Sequence, residues 1–373
     1  MEVNGNNAYE ALARKYRPQT FDDVVGQKAV ISALKNSIDN NHIHHAYLLT
    51  GTRGIGKTTI ARIIAKCLEC SEGITSHPCG SCEICRDITR GSFPDVIEID
   101  GASQTKVDDT RQLLENTQYP PMIGRFKIYI IDEVHMLTVN SFNALLKTLE
   151  EPPAHVKFIL ATTDPHKIPA TVLSRCLQFQ LKALSQKEIQ DRIIEICQKE
   201  NIPCEPQGAA LLSRAARGSM RDALSLTDQA IALGAGSIKA DLVLSMLGTA
   251  GDELLTRIFD LLLPGNNQNL GPVLEEIRGI SPNYQNLLNE LVTAFHDLAL
   301  YQMTGGTKLN IFSLSNDILH KYAGLFTPQD LQTYYQIALE GIEELKLAPD
   351  GVAAFEMAVL RLIAFTPEKK KIG

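Results

Sequence analysis

The sequence predicts an α/β core built on a parallel sheet, followed by a chain that is helical towards its end. Three observations carry that prediction. Apolar runs alternate with helical spacings over the first half, the pattern of parallel strands joined by crossover helices. One such run, Ala46 to Leu49, leads into Gly51-Thr52-Arg53-Gly54-Ile55-Gly56-Lys57-Thr58, which fits the G-x-x-x-x-G-K-[ST] phosphate-binding pattern. From Ser185 onward the texture changes, and apolar residues fall at helical spacing.

Composition bounds the function classes. A chain of 373 residues is expected to hold two or three domains, and 44% hydrophobic with 21% charged residues is ordinary for a soluble globular protein. No apolar run approaches membrane-spanning length. The start, Met1 to Asn7, has neither the basic region nor the apolar stretch of a secretory signal, so a cytoplasmic location is expected. A net charge of −7 argues against a uniformly basic nucleic-acid binder but leaves room for a local basic patch. Of eight cysteines, four cluster between Cys70 and Cys85, which points to metal and not to a disulfide framework.

Taken in order, the first feature is the basic stretch Arg14-Lys15-Tyr16-Arg17-Pro18. It is either a solvated arm or a segment whose Tyr16 or Val24 packs near an adenine while its arginines meet phosphates of DNA. Val30, Ile31, Leu34 and Ile38 then mark a helix from Gln27. In the phosphate loop, three glycines allow the backbone to turn so that its N–H groups face phosphates. Lys57 reaches the outer phosphates, Thr58 is placed to ligate Mg²⁺, and the helix from Ile60 presents its N-terminus to the anion. Cys70, Cys79, Cys82 and Cys85 follow, with two C-x-x-C spacings sharing Cys82, and this pattern suits one structural Zn²⁺ with no open coordination position.

Val96 to Ile99, Phe126 to Ile131 and Val156 to Ala161 read as strands, with helices over Lys106 to Gln118 and Ser141 to Glu150 between them. Functional groups in such a sheet belong at the carboxyl ends of strands. There Asp132 can hold the Mg²⁺ shell, and Glu133 can orient the attacking water and accept its proton. His135 is either a hydrogen-bonded structural residue or a coupling group. Thr162, Thr163 and Asp164 end the next strand as nucleotide contacts or as a cap for the following turn. Arg175, in Ser174-Arg175-Cys176, is either a surface charge or a finger completing a neighbour's site. Ser185 with Glu188 starts a helix through a capping box, and Ser219 caps another in which Arg221 occupies the first turn. A cation is disfavoured there, which suits service to a phosphate. Wide apolar stripes between about Leu242 and Phe365 suit a helical bundle or subunit contacts. The terminal Lys369-Lys370-Lys371 reads as a solvated tail.

The phosphate loop, the Asp-Glu strand end, Ser-Arg-Cys and Arg221 together resemble the AAA+ ATPases of the clamp-loader branch. The four-cysteine insertion, Arg14 to Pro18, and Ser141 to Pro153 are similar to the gamma/tau subunit family of bacterial DNA polymerase III. The resemblance is specific from about Ala11 to Ala232 and looser beyond. It implies a P-loop AAA+ core with helices on both faces of a parallel sheet over residues 1–184, with a zinc module at about 67–92. It further implies a small helical lid over 185–248 and an all-α collar domain over 249–373. ATP would be bound by Gly51 to Thr58 with Thr59, and Thr162 or Thr163 would act as nucleotide sensor. Arg175 would act in trans, and Arg221 would be the lid sensor. Thr105, Lys106 and Arg111 would track the DNA backbone, although Gln104 stands where a basic residue is expected. The implied activity is ATP hydrolysis that loads a sliding clamp onto primer–template DNA within a hetero-oligomer of clamp-loader subunits, with no membrane. The alternatives are an AAA+ remodelling or branch-migration motor, or an ATP-binding scaffold with little turnover.

Overall fold

A computed structural model describes residues 10–103, 116–247, 251–280, 282–307 and 314–365. The chain divides into two compact units, Met1–Ala240 and Asp241–Gly373.

The first unit is organised by a five-stranded parallel sheet. Its strands are β1 (Ala46–Thr50), β2 (Val96–Asp100), β3 (Lys127–Asp132), β4 (Val156–Thr162) and β5 (Leu177–Gln180), in spatial order β2-β3-β4-β1-β5. β1 and β4 are buried along their whole length. Because side chains alternate across a sheet, β1, β3 and β4 each feed two cores. Tyr47, Leu49, Ile128, Ile130 and Ile159 face one core, shared with helices α1 (Lys28–Asp39) and α2 (Lys57–Glu69). Ala46, Leu48, Tyr129, Ile131, Phe158 and Leu160 face the other, covered by α4 (Val139–Glu150), whose Phe142, Leu145 and Leu149 pack there. Between α2 and β2, helix α3 (Glu83–Arg90) closes the cysteine-rich insertion. A short helix α5 (Ala170–Leu173) precedes β5.

β5 was not expected from the sequence. Its Leu-Gln-Phe-Gln run is four residues long, mostly exposed, and pairs only through β1. The expected helix from Lys106 falls almost entirely outside the described residues, of which only Asn116–Gln118 forms a 3₁₀ turn.

Three helices follow the sheet: α6 (Gln186–Lys199), α7 (Pro206–Ala215) and α8 (Met220–Leu233). The Ser185–Glu188 capping box starts α6, proline occupies the first turn of α7, and the Ser219 side chain accepts the Asp222 N–H to start α8. A further helix, α9, runs from Ala240 to Leu247.

The second unit consists, among its described residues, of helices and turns. They are α9 from Asp241 onward, α10 (Gly251–Leu261), α11 (Leu270–Ile280), α12 (Tyr284–Met303), α13 (Asn316–Ala323), α14 (Pro328–Leu347) and α15 (Gly351–Ala364), with one 3₁₀ turn. Phe259, Phe295, Tyr322, Phe326 and Tyr334 form a contiguous aromatic core. No described helix is long and apolar enough to cross a membrane.

Two fully buried carboxylates shape the turn that leads into β3. Asp95 accepts the N–H groups of Met122, Ile123 and Gly124 at 2.7–2.8 Å. Glu69, the last residue of α2, accepts those of Arg125 and Phe126 at 2.7 and 2.8 Å. Gly124 is required at this position, since a Cβ would lie 2.5 Å from the Glu69 carboxylate. Burial alone would raise the Asp95 pKa, but the three N–H bonds outweigh it and hold the group below its ordinary value. The stability it contributes is therefore present above its unfolded pKa of about 4 and is lost as pH falls through the folded value. Asp95→Asn should destabilise the first unit by about 2–4 kcal/mol at neutral pH, since an amide cannot accept all three bonds. It should also weaken the acid dependence of unfolding, measured by chemical denaturation between pH 3 and pH 7.

Candidate functional site

The phosphate loop joins β1 to α2, and the parallel register sets its neighbours. Thr50 stands opposite Thr162, and Asp100 opposite Asp132, so the carboxyl ends of four strands finish close together. The Gly51 N–H donates to the Thr162 carbonyl at 3.2 Å, tying the loop to β4. Thr52 and Arg53 are exposed at the tip of the loop, and Ile55 is buried beneath it. Lys57 is buried, and its ammonium donates to the carbonyls of Gly51 and Thr52 at 2.9 and 3.0 Å. Burial lowers its pKa, while Glu133 and then Asp132 pull it back up.

The acidic pair lies directly across from the loop. The Thr58 hydroxyl donates to Asp132 Oδ2, so the two groups expected at a cation meet in space. Glu133 has a left-handed backbone (φ 46°), and its N–H donates to Asp132 Oδ1 at 3.0 Å. Its Oε2 accepts the Thr163 N–H at 3.1 Å and the Thr163 hydroxyl at 2.8 Å. The two sensor candidates thus separate. Thr163 touches Glu133, whereas Thr162 is fully buried, with its hydroxyl between His135 Nδ1 (2.9 Å) and the Asp164 N–H (3.0 Å). Asp164 also caps the next turn by accepting the His166 N–H.

Two segments close over the loop from outside the sheet. The N-terminus of α8 approaches so nearly that a Cβ on Gly54 would lie 1.9 Å from the Ser219 hydroxyl. Gly54 has φ +78°, and the Arg221 N–H donates to its carbonyl at 3.3 Å. The basic segment forms the second closure. Arg17 Nε donates to the Thr59 hydroxyl at 3.1 Å. Burial is the main cause lowering the Arg17 pKa, followed by the neighbouring Arg62 guanidinium, and Arg221 acts in the same direction. Arg62 itself is paired with Glu98 through two bonds of 2.7 and 2.9 Å. The sequence reading assigned the arginines of this run to DNA phosphates and did not place Arg17 at the loop, and the available signal was its place before Pro18 in a basic run. Tyr16 packs on a cluster with Leu12, Ile196 and Leu224, and its hydroxyl donates to Glu200. Val24 packs on the core shared with α1 and α2.

Arg175 lies at the other end of the sheet. It directly precedes β5 and shares a cleft of about 560 Å³ with His44 and His45, which precede β1. Its guanidinium donates to Glu150 Oε1 at 2.8 Å and to the Thr171 carbonyl at 2.7 Å. The five residues of β1 separate this end from the phosphate loop by about 16 Å at ~3.3 Å per residue. Arg175 is thus far from the loop of its own chain.

The four cysteines converge. The Sγ atoms of Cys70, Cys79, Cys82 and Cys85 all lie within 4.8 Å of one another. A tetrahedral zinc with Zn–S of about 2.3 Å needs S–S edges of about 3.8 Å, so the set fits such an ion. The N–H groups of Cys79, Cys82 and Cys85 each point at the sulfur of the preceding ligand at 3.3–3.4 Å, as suits thiolate acceptors. Cys67 is buried in the adjoining core and is not part of the set. Ser76 fixes the insertion to α1 through two bonds to Asp39, at 3.0 and 2.9 Å. Thr105, Lys106 and Arg111, with Gln104, lie outside the described residues.

Three family profiles match the chain. They are described as DNA polymerase III, delta subunit (residues 26–185), DNA polymerase III clamp loader subunit, ATPase lid domain (188–236), and DNA polymerase III subunits gamma and tau domain III (238–372). The chain is 46% identical over 357 residues to the DNA polymerase III subunit gamma of Buchnera aphidicola subsp. Baizongia pistaciae, covering 95% of this chain and 96% of that protein. The chain belongs to the gamma/tau family of DNA polymerase III subunits. Among gamma/tau relatives, it is 51% identical over 360 residues to the tau subunits of Escherichia coli K12 and Salmonella typhimurium LT2. These alignments cover 96% of this chain, which spans only 56% of the length of those tau subunits. Among solved structures, the Thermotoga maritima RuvB Holliday junction branch migration motor matches at 21% identity and a TM-score of 0.48, over 66% of this chain and 79% of that one.

The closest approach between lid helix and loop gives a direct test. Gly54→Ala should push α8 off the loop, since its Cβ has no room and φ is positive. Hydrogen exchange at residues 219–224 should rise at least about tenfold relative to the rest of the first unit.

Proposed function

We propose that this gamma/tau-family chain is an ATP-hydrolysing motor subunit of a replication clamp loader, acting with other loader subunits in the cytoplasm to place a sliding clamp on primer–template DNA. The observation that carries the reading is the distance of Arg175 from its own phosphate loop, beside a loop that otherwise holds a full hydrolytic set. A finger at the far end of the sheet has use only at a neighbour's nucleotide. Family membership supports the clamp as the object of the work.

In this reading the loop from Gly51 to Thr59 cradles the phosphates of ATP, and Lys57 turns from its carbonyl partners to the outer phosphates. Thr58 and Asp132 hold Mg²⁺, which when bound neutralises charge on the phosphate oxygens. Glu133 orients a water and takes its proton as the water attacks the γ-phosphorus and the bond to ADP breaks. Thr163 reports the nucleotide through Glu133, with Thr162 buttressing it from behind. Arg221 and Arg17 meet the same nucleotide from the lid and the N-terminal segment. Arg175 stabilises the transferring phosphoryl group of the adjacent subunit. The four cysteines hold structural Zn²⁺. Thr105, Lys106 and Arg111 are the candidate DNA contacts. The chain is divided into a core over 1–184, a lid over 185–248 and a collar over 249–373 that joins subunits.

Reconstitution with partner subunits, clamp and primed DNA tests this, with ATP hydrolysis and clamp loading followed together. Arg175→Ala should cut hydrolysis by the assembly about 10³-fold while ATP binding by the isolated chain is unchanged. Full turnover by such complexes would remove the trans role. Stripping metal with a strong chelator should release about one zinc per chain. It should also lower the melting temperature of the first unit, and zinc but not magnesium should restore it.

A further inference from the structure

We infer that His135 is a positioning residue for Glu133, holding one carboxylate oxygen so that the other serves the attacking water. The inference rests on the reading of Glu133 as the group that takes the water's proton. His135 Nδ1 lies 3.3 Å from Glu133 Oε2 and 2.9 Å from Thr162 Oγ1. The ring is nearly buried, its side chain 10% exposed, and it sits in the single turn Val134–Met136 that follows the left-handed Glu133. Its position is therefore fixed by the fold and not by a flexible surface rotamer.

Chemistry assigns the proton. With Nδ1 bare, it would accept from the Thr162 hydroxyl at 2.9 Å, but its lone pair would also lie 3.3 Å from a carboxylate oxygen, a repulsive contact. With Nδ1 protonated, its N–H donates to Thr162 Oγ1 at 2.9 Å and stands 3.3 Å from Glu133 Oε2, an attractive charge contact. The Thr162 hydroxyl is held in turn by the Asp164 N–H at 3.0 Å, so the support reaches back into the fully buried end of β4. Glu133 Oε2 thus accepts two hydrogen bonds, from the Thr163 N–H and the Thr163 hydroxyl, with His135 Nδ1 beside them in a charge contact of 3.3 Å. No hydrogen bond among the described residues ends on Oε1, which leaves that oxygen to accept the proton. Thr163 holds Oε2 from the end of β4, and His135 holds it from Glu133's own turn. Two anchors from different elements restrict rotation of the carboxylate, which a single anchor permits.

The test uses the assembled complex with clamp and primed DNA, and three substitutions. His135→Asn keeps a donor near the place of Nδ1. His135→Gln keeps a polar side chain but carries its amide farther out, near the place of Nε2. His135→Leu removes the donor. Gln and Leu should each lower kcat for ATP about tenfold with KM changed less than about twofold, and Asn should restore most of the loss. In a Glu133→Gln background, adding His135→Leu should cost nothing further. Unchanged kcat in both the Gln and Leu variants would overturn the inference. So would equal losses in all three variants with KM and melting temperature shifted together, the mark of a merely structural histidine. If Glu133→Gln alone retains turnover, the reading of Glu133 itself fails. If it abolishes turnover while His135→Gln and His135→Leu do not alter it, only the role of His135 falls.

Discussion

The site depends on the parallel register of β3, β4 and β1. Opposing Thr50 with Thr162, and Ile131 with Leu160, brings the phosphate loop, the acidic pair and the two threonines to one edge of the sheet. A slip of one residue would turn Tyr47 and Leu49 towards the core of α4, and Leu48 towards that of α2. Both faces are packed with large apolar side chains, so such a slip would disturb two cores at once. The placement of a few polar groups is thus set by many apolar ones, and the local contact between Thr58 and Asp132 follows from it.

Much of this was legible in the sequence because the information is local. Eight consecutive residues define the phosphate loop, an Asp-Glu pair ends an apolar run, and cysteine spacing alone announces the tetrahedral cluster. β5 was not legible, because an edge strand of alternating Leu, Gln and Phe needs little apolar content and leaves a weak pattern. The partners of Glu133 were also hidden. His135 lies two residues away, but Thr163 is 30 residues distant, and only the register of β3 against β4 brings it into contact. Arg17 escaped for the same reason, being 42 residues from Thr59 in the chain.

The loop is enclosed by elements with different mechanical attachments. On the sheet side it is tied by the backbone bond from Gly51 to β4. On the open side it meets α8 through Gly54 and the basic segment through Thr59. That segment also bonds to the lid, with Lys15 and Tyr16 on Glu200 and the Leu12 N–H on Asp228 at 2.9 Å. It therefore bridges sheet and lid helices, and its arginine rests over the nucleotide helix. Burial, followed by the neighbouring Arg62 guanidinium, lowers the Arg17 pKa, and Glu98 and Asp132 offset part of that effect.

The position of Arg175 also bears on symmetry. On the proposed trans role of Arg175, a phosphate loop at one end of the strands and a finger at the other are unlike surfaces, so a contact joining them is heterologous, each chain giving to one neighbour and receiving from another. Repeated without closure, such contacts leave a terminal chain whose loop receives no arginine and another whose arginine meets no nucleotide. An open arc would thus contain unequal sites built from equal sequences, and a subunit's competence would be decided by its address in the row.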